Sequence, residues 1–551
     1  MSENRKYRWA HLGDINAFFG LMLDNLAGLI LTVSLLAVTS GFPAEFALTH
    51  MVPGTALGVF FGDLAFFVLA ILLARRTGRS DVTAMPLGID TPSIFGMTLF
   101  VIGPAYQSAL STFPDPQAAA RYAWYIGICS LVFSGIFKLI CAPFCGLVRK
   151  VVPRAGLLGS LTAIALVIIS FLPLLDIFAH PLPGFIALAI VLTSLIGQIP
   201  LPGRIPGTLG ALVVGGGIYY AMQFFGVAGY EASTAVATTW LPQQWMEAWS
   251  LEWTSALRDA ASYLPIVLPF ALGTVVGGID CTESAAAAGD EYSTGTVVAV
   301  EGTATLLAGF CGGVIQTTPY IGHPAYKAMG GRAAYTLATA LLVGSAGVMG
   351  YFGYILEWLP KPAVFPILIF VGLEISAQSF LATPRRHYAA VAFACVPALA
   401  FLANNFPGQI LGDETVRVAL QENGGLGNPQ LQSSLTTVRV LASGFILTSL
   451  LWAWGLAAII DGQLRKAGLV FISAAIMTLF GVIHSPLSGN RVYLPIGPSS
   501  WGDLVLPAES RHLIFEFAGG YFFAGVLLLL WGTWAHRSGV LQSIQQSHAE
   551  H

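Results

Sequence analysis

Charge is what this sequence has least of. Only 10% of its 551 residues are Asp, Glu, Lys or Arg, against 55% hydrophobic residues. A soluble domain averages about 25% charged residues. The deficit leaves too little polar surface to cover a soluble chain of this length, so the class is a polytopic membrane protein. The near balance of 25 basic and 28 acidic residues gives no case for nucleic-acid binding. Cysteine is scarce too. Cys129, Cys141, Cys145, Cys281, Cys311 and Cys395 all lie in or at the edge of apolar segments. They form neither a disulfide framework nor a CxxC metal spacing. HExxH and other compact ligand motifs are absent, so neither a metal nor an enzyme active site is expected. Arg5, Lys6 and Arg8 precede an apolar run, as in a secretory leader. However, that run holds Asp24 and Asn25 and ends in no small-residue cleavage site, which reads as a retained first span.

What the chain has in abundance is apolar runs. A span needs about 20 mostly apolar residues. Candidates are 17–40, 53–74, 84–105, 122–143, 155–175, 182–199, 206–227, 263–288, 294–313, 316–329, 333–357, 362–381, 386–404, 438–460, 466–484 and 512–535, about sixteen in all. Basic clusters fall at Arg5/Lys6/Arg8, Arg75/Arg76/Arg79, Arg149/Lys150/Arg154, Arg204, Arg332, Arg385/Arg386, Arg465/Lys466 and Arg537. An even number of spans separates each from the next, so all share one side. By the positive-inside rule that side is cytoplasmic, with both termini. The long loops near 228–262 and 405–437 are then external. Trp245, Trp249 and Trp253 recur at helical spacing in the first, which suits an amphipathic helix on the membrane surface or a lid.

Division of the first fourteen spans into seven and seven exposes a match. The third span of the first half reads Ala84-Met-Pro-Leu-Gly-Ile-Asp-Thr-Pro-Ser93. The third span of the second half reads Gln316-Thr-Thr-Pro-Tyr-Ile-Gly-His-Pro-Ala325. Both are rich in Pro, Gly and hydroxyls, and an odd number of spans per half opposes the halves. That is the mark of an inverted repeat with two discontinuous helices meeting near the bilayer midplane. The expected fold is all-α and polytopic, a 7+7 transporter core followed by two extra C-terminal helices.

The residues singled out cluster in 264–332 and its counterpart. Carboxylates at membrane depth are expensive, and face a cavity or one another. Asp280 and Glu283 lie a turn apart in the eighth span, Glu301 lies in the ninth, and Asp24 lies in the first. Glu283, Glu301 and Asp24 are the candidates for ion coupling, with H+ or Na+ as the coupling ion and no other cofactor. Each has a structural alternative: a helix-end cap for the eighth-span pair, a partner for free backbone groups for Glu301, and an interhelical bond for Asp24. Asp90, Thr91, Ser93, Asp280, Glu283, Gln316, Thr317, Thr318 and His323 are the candidates for substrate binding. Broken helix starts expose N–H groups that suit electronegative ligands. The hydroxyls there serve either a solute or the backbone groups freed by Pro86, Pro92 and Pro319.

Along 300–332 the sequence resembles the nucleobase–ascorbate transporter family, also called nucleobase–cation symporter-2, and most of all its hypoxanthine/guanine/adenine permease branch. The resemblance rests on Gly313-Val-Ile-Gln-Thr-Thr-Pro-Tyr-Ile-Gly-His323 followed by Gly330-Gly331-Arg332. Gly-Ile-Asp-Thr-Pro-Ser at 88–93 and Asp280-Cys-Thr-Glu283 extend it. The family's tenth-span glutamate falls on Gly322, with His323 beside it. The resemblance implies core spans 1–4 (1–154) and 8–11 (263–357), gate spans 5–7 (155–227) and 12–14 (358–460), an elevator-like motion and a homodimer. Residues 228–262 are the external segment and 461–551 the C-terminal extension. The expected function is an ion-coupled permease of the plasma or inner membrane for a nucleobase-like or small organic solute. The alternative is an anion transporter or channel of the related 7+7 type.

Overall fold

In lipid, backbone N–H and C=O groups find no water, so a spanning segment must satisfy them within itself. Most of the described chain is accordingly helical. The computed structural model describes residues 7–538, apart from 147–153, 231–238, 321, 382, 413, 423–427, 488–491 and 498–504. Arg5, Lys6, Arg149 and Lys150 of the basic clusters lie outside the described residues.

In chain order, α1 is Gly13–Ser40 and α2 is Ala44–Thr77. Strand β1, Leu87–Ile89, leads into α3, residues 91–109, which widens to a π-type coil in its middle. Then come α4 Pro116–Phe144, α5 Leu158–Ala179, α6 Pro181–Ile196 and α7 Gly207–Phe224. The second half opens with α8 Leu264–Ala287 and α9 Thr294–Phe310. Strand β2, Thr317–Pro319, leads into the short α10, His323–Ala328. There follow α11 Ala334–Val348, α12 Phe352–Trp358, α13 Lys361–Leu381, α14 Tyr388–Gly412, α15 Pro429–Ala442 and α16 Phe445–Ile460. The last two are α17 Leu464–Leu479 and α18 Ala508–Arg537. Among the described residues eight helices are long and apolar enough to cross a membrane, or up to ten if the bent pairs α11/α12 (97°) and α15/α16 (75°) each count as one span. The shortfall from sixteen has causes. The third and tenth spans are strand-plus-helix, and α6 and α9 are shorter apolar helices.

Two compact units form. The first holds residues 1–151 and 169–371, the second 152–168 and 372–551. Residues 182–227, assigned above to gate spans, fall in the first unit. There α2 packs between α9 and α11, and α4 lies along α8 and α9. Small residues allow this close approach, as they do between helices in lipid generally. A Cβ at Gly58 would stand 2.7 Å from that of Ala308. In the second unit, α14, α16 and 154–164 pack through Ala155, Ala390, Ala394, Ala453 and Ala457. Helices α17 and α18 form a pair that meets where Gly468 faces Gly525.

Two expectations need correction. Trp245, Trp249 and Trp253 do not share one amphipathic helix on the membrane surface. They lie in successive 3-10 turns, Gln244–Ser250 and Glu252–Ala256, and Trp245 and Trp253 are buried. Polar ties to α4 hold these turns: Arg121 to Glu247 at 3.4 Å and Tyr125 to Glu252 at 3.1 Å. A left-handed residue, Leu251, breaks the helical run between them. The second long loop, 405–437, is also largely helical, because α14 runs on through Pro407 to Gly412 and α15 begins at Pro429.

Candidate functional site

Strands β1 and β2 pair antiparallel, Leu87 opposite Pro319, Gly88 opposite Thr318 and Ile89 opposite Thr317. The ladder extends one step at each end: Asp90 N–H donates to the Gln316 carbonyl and Tyr320 N–H to that of Pro86. The two irregular stretches from opposite halves thus meet directly. A two-stranded sheet at membrane depth leaves its outer edges unpaired, and those groups need partners.

Side chains from five helices and the Tyr320 hydroxyl supply them, the fifth being α9, where Thr305 accepts the Thr317 N–H at 3.4 Å. On the outer edge of β1, Leu87 N–H donates to Asp63 Oδ1 of α2 (3.1 Å). Ile89 N–H donates to Asn25 Oδ1 of α1 (3.0 Å), and the Tyr320 hydroxyl donates to the Ile89 carbonyl (3.3 Å). On the outer edge of β2, Lys138 Nζ of α4 donates to the Thr317 carbonyl (2.9 Å). The Cys281 thiol of α8 meets the Pro319 carbonyl (3.3 Å). Proline at 319 removes one N–H that would otherwise stand unpaired on that edge.

Lys138 is fully buried, as is Glu301 of α9, and they pair at 2.9 Å. The Glu301 carboxylate presses against Gly278 of α8, where a Cβ would come within 2.7 Å of it. Glu301 therefore holds the lysine that holds β2.

At the start of α3, Asp90 is the cap, and its carboxylate accepts Ser93 N–H at 2.9 Å and the Ser93 hydroxyl. Gln316 bridges across: its amide donates to the Ser93 hydroxyl and its Oε1 accepts from Ser134 of α4 at 2.6 Å. Asp90, Ser93 and Gln316 thus form one buried network. Thr317 faces Thr305 of α9, hydroxyl to hydroxyl at 3.4 Å. Thr91 and Thr318 are buried at the same junction. Asp280 and Glu283 stand half-buried on α8, on either side of the buried Cys281–Thr282 pair. Asp24, on α1, faces the Tyr320 hydroxyl.

His323 lies elsewhere than the strand junction. Its Nε2 meets Asp290 Oδ2 at 3.0 Å, in a cluster at the loop between α8 and α9. Asp290 is fully buried and also takes Lys327 (2.7 Å), Arg79 (3.1 Å) and Thr83 N–H (3.1 Å). Burial works to raise the Asp290 carboxyl's pKa, but His323, Lys327 and the Thr83 amide outweigh it, so the group titrates below the ordinary carboxylate range. Lys327 is accordingly an ion-pair partner of this loop.

Sequence reasoning missed Lys138, Asp63, Ser134 and the hub role of Asp290. The signal for the first two was present: each is a charged residue inside a long apolar helix, in the second and fourth spans, away from the stretch that drew attention.

No family profile matches the chain, and no curated protein matches it. Solved structures do. The transmembrane domain of a cyanobacterial bicarbonate transporter, BicA, shares 15% identity, with 69% of this chain and 94% of that one covered and a TM-score of 0.45. SLC26A9 shares 13%, with 69% and 61% covered and a TM-score of 0.46. The murine solute carrier 26 family member A9, an anion transporter in its inward-facing state, shares 15%, with 69% and 64% covered and a TM-score of 0.39. The chain thus spans less than two thirds of either SLC26A9 chain. At such identities the likeness is one of fold alone. It overturns the resemblance to nucleobase–ascorbate transporters, since the neighbours belong to another family that shares the 7+7 fold. The physical reason is plain. Glycine, proline and hydroxyls at 313–323 are what any broken, strand-bearing span requires, so they mark the architecture and not the family. The residue placed on that family's tenth-span glutamate is Gly322, which has no side chain.

Proposed function

We propose that this chain is a secondary transporter of a small anion, carried at the junction of β1 and β2. The carrying observation is the pairing itself. Two strands from opposite halves pair within one buried region, and β1 hands over there to the helix start at Thr91. Helix starts present N–H groups and partial positive charge, which favour an anion. The Lys138–Glu301 pair adds no net charge there. Asp90 already takes the Ser93 N–H and Pro92 has none, so the backbone donor left for a small anion at this start is the Thr91 N–H. Thr91 and Thr318 supply hydroxyls for it. The bicarbonate transporter and the anion transporter of similar fold carry solutes of this kind, as their names state. Glu283 and Asp280, half-buried beside the junction, are the carboxylates we assign to coupling with H+ or Na+, with Asp24 as a further candidate.

Purified protein in liposomes tests this with bicarbonate, chloride and sulfate, with and without a proton or sodium gradient. One of these anions accumulates, and Thr318→Val lowers its uptake about tenfold, the worth of one neutral hydrogen bond. Folded, reconstituted protein that takes up none of the three refutes the reading.

The placement of basic residues supports cytoplasmic termini. Cysteines replacing Arg76 and Arg385 then label only from the cytoplasmic side, and Ser255→Cys only from outside. Labelling with the sides exchanged overturns this orientation.

A further inference from the structure

The outer edge of β1 rests on a carboxyl group that no mechanism above uses. We propose that Asp63 of α2 is a proton-binding site, neutral while β1 is docked and emptied when the edge of β1 opens. The proposal deepens the transporter reading, because it gives strand movement a proton to carry.

The geometry singles the residue out. Asp63 is fully buried. Its Oδ1 accepts one N–H, that of Leu87, and its Oδ2 is buried with no hydrogen-bond partner among the described residues. Half-buried Asp24 also leaves one oxygen, Oδ1, without a partner among the described residues, but the other fully buried carboxyls are provided for. Asp90 has Ser93 twice, Glu301 has Lys138, and Asp290 has Arg79, Lys327 and His323. Asp63 makes no ion pair with a described cation. Among the described residues, the titratable groups that face it are Tyr320 and Tyr326 from the segment after β2 and Tyr335 from α11. None of them is a base, so none can neutralise an ionised Asp63. On α9 the nearest ionisable group is Glu301, which is committed to Lys138. Leu87, which it holds, and Phe66, three residues further along α2, belong to one buried apolar cluster. A lone carboxylate in such a place is far costlier than the neutral acid.

The link to movement follows from the same bond. Leu87 and Ile89 point the same edge of β1 outward, and that edge is held by Asp63 and Asn25. One residue beyond Ile89 the chain reaches Asp90 and the start of α3. If β1 moves, Asp63 loses the Leu87 donor and water reaches Oδ2. The O–H bond then breaks, the proton passes to that water, and the carboxylate is left hydrated. Re-docking of β1 requires a proton to return. Linkage makes the effect reciprocal: whatever holds β1 docked also holds the proton.

Infrared spectroscopy of the full chain in lipid, at neutral pH and without any solute, tests the site. The wild-type-minus-Asp63→Asn difference spectrum shows a protonated-carboxyl C=O band that moves in D2O. Asn keeps the acceptor for Leu87 N–H, so the variant folds. Asp63→Leu is the second variant, also neutral, and gives the same lost band. Ionised-carboxylate bands in the difference spectrum, or no protonated band, overturn the proposal. Because no solute is present, a failure of anion uptake leaves this result standing, and an ionised Asp63 leaves the transporter reading standing.

Discussion

Lys138→Met lowers the stability of the folded chain by about 3–5 kcal/mol, the cost of leaving one member of a buried ion pair alone. The stranded partner is Glu301, which is fully buried against Gly278 and has no other cation in contact among the described residues. A second loss adds to it, because the Thr317 carbonyl gives up the Lys138 ammonium on the outer edge of β2. The double variant Lys138→Met/Glu301→Gln removes both charges and recovers most of the loss. It does not recover all, since the Thr317 carbonyl still lacks its donor, which is worth about 1–3 kcal/mol. Chemical denaturation in micelles, followed by tryptophan fluorescence, gives the three stabilities. A single variant as stable as the parent, or a double variant no better than the single, means that the pair does not support β2. Glu301 would then return to the list of coupling carboxylates.

The irregular junction was legible in the sequence; what surrounds it was not. Pro86, Gly88, Pro92, Gly313 and Pro319 cannot continue a helix comfortably, and each was visible as a break in an apolar run. From these breaks the meeting of the third and tenth spans follows, and β1–β2 is that meeting. The partners are a different matter. Asn25, Asp63, Lys138 and Ser134 come from three helices far away in sequence, and a single chain carries no periodicity that says which polar residue faces which backbone edge. His323 shows the same limit. Its neighbourhood in sequence is the junction, but its partner is Asp290, brought there by the loop after α8. The family reading erred for a related reason: it took residues demanded by a broken helix as residues demanded by a ligand.

Gly88→Ala lowers uptake by tenfold to a hundredfold while leaving most of the protein folded. Gly88 lies opposite Thr318 in the centre of the ladder. A Cβ there would fall inside the contact shell of the Tyr320 hydroxyl and 2.8 Å from Asn25 Oδ1. Neither neighbour can yield without loss. Asn25 Oδ1 holds Ile89 N–H, and the Tyr320 hydroxyl holds the Ile89 carbonyl and faces Asp24. Overpacking of this kind costs about 1–3 kcal/mol, and about 1.4 kcal/mol is a factor of ten. The strain lands on the three residues of β1, directly before Asp90 and Thr91, and so on the geometry of the proposed anion site before it reaches the helical packing. Gly277→Ala on α8 is the control, because a Cβ at 277 meets nothing within 4 Å. It keeps wild-type stability, which shows that adding a methyl group near the junction is not harmful in itself. Uptake measured in liposomes, alongside the folded fraction recovered after extraction, separates transport from folding. Wild-type uptake by Gly88→Ala means that the ladder tolerates displacement, and that the solute is bound away from the end of β1.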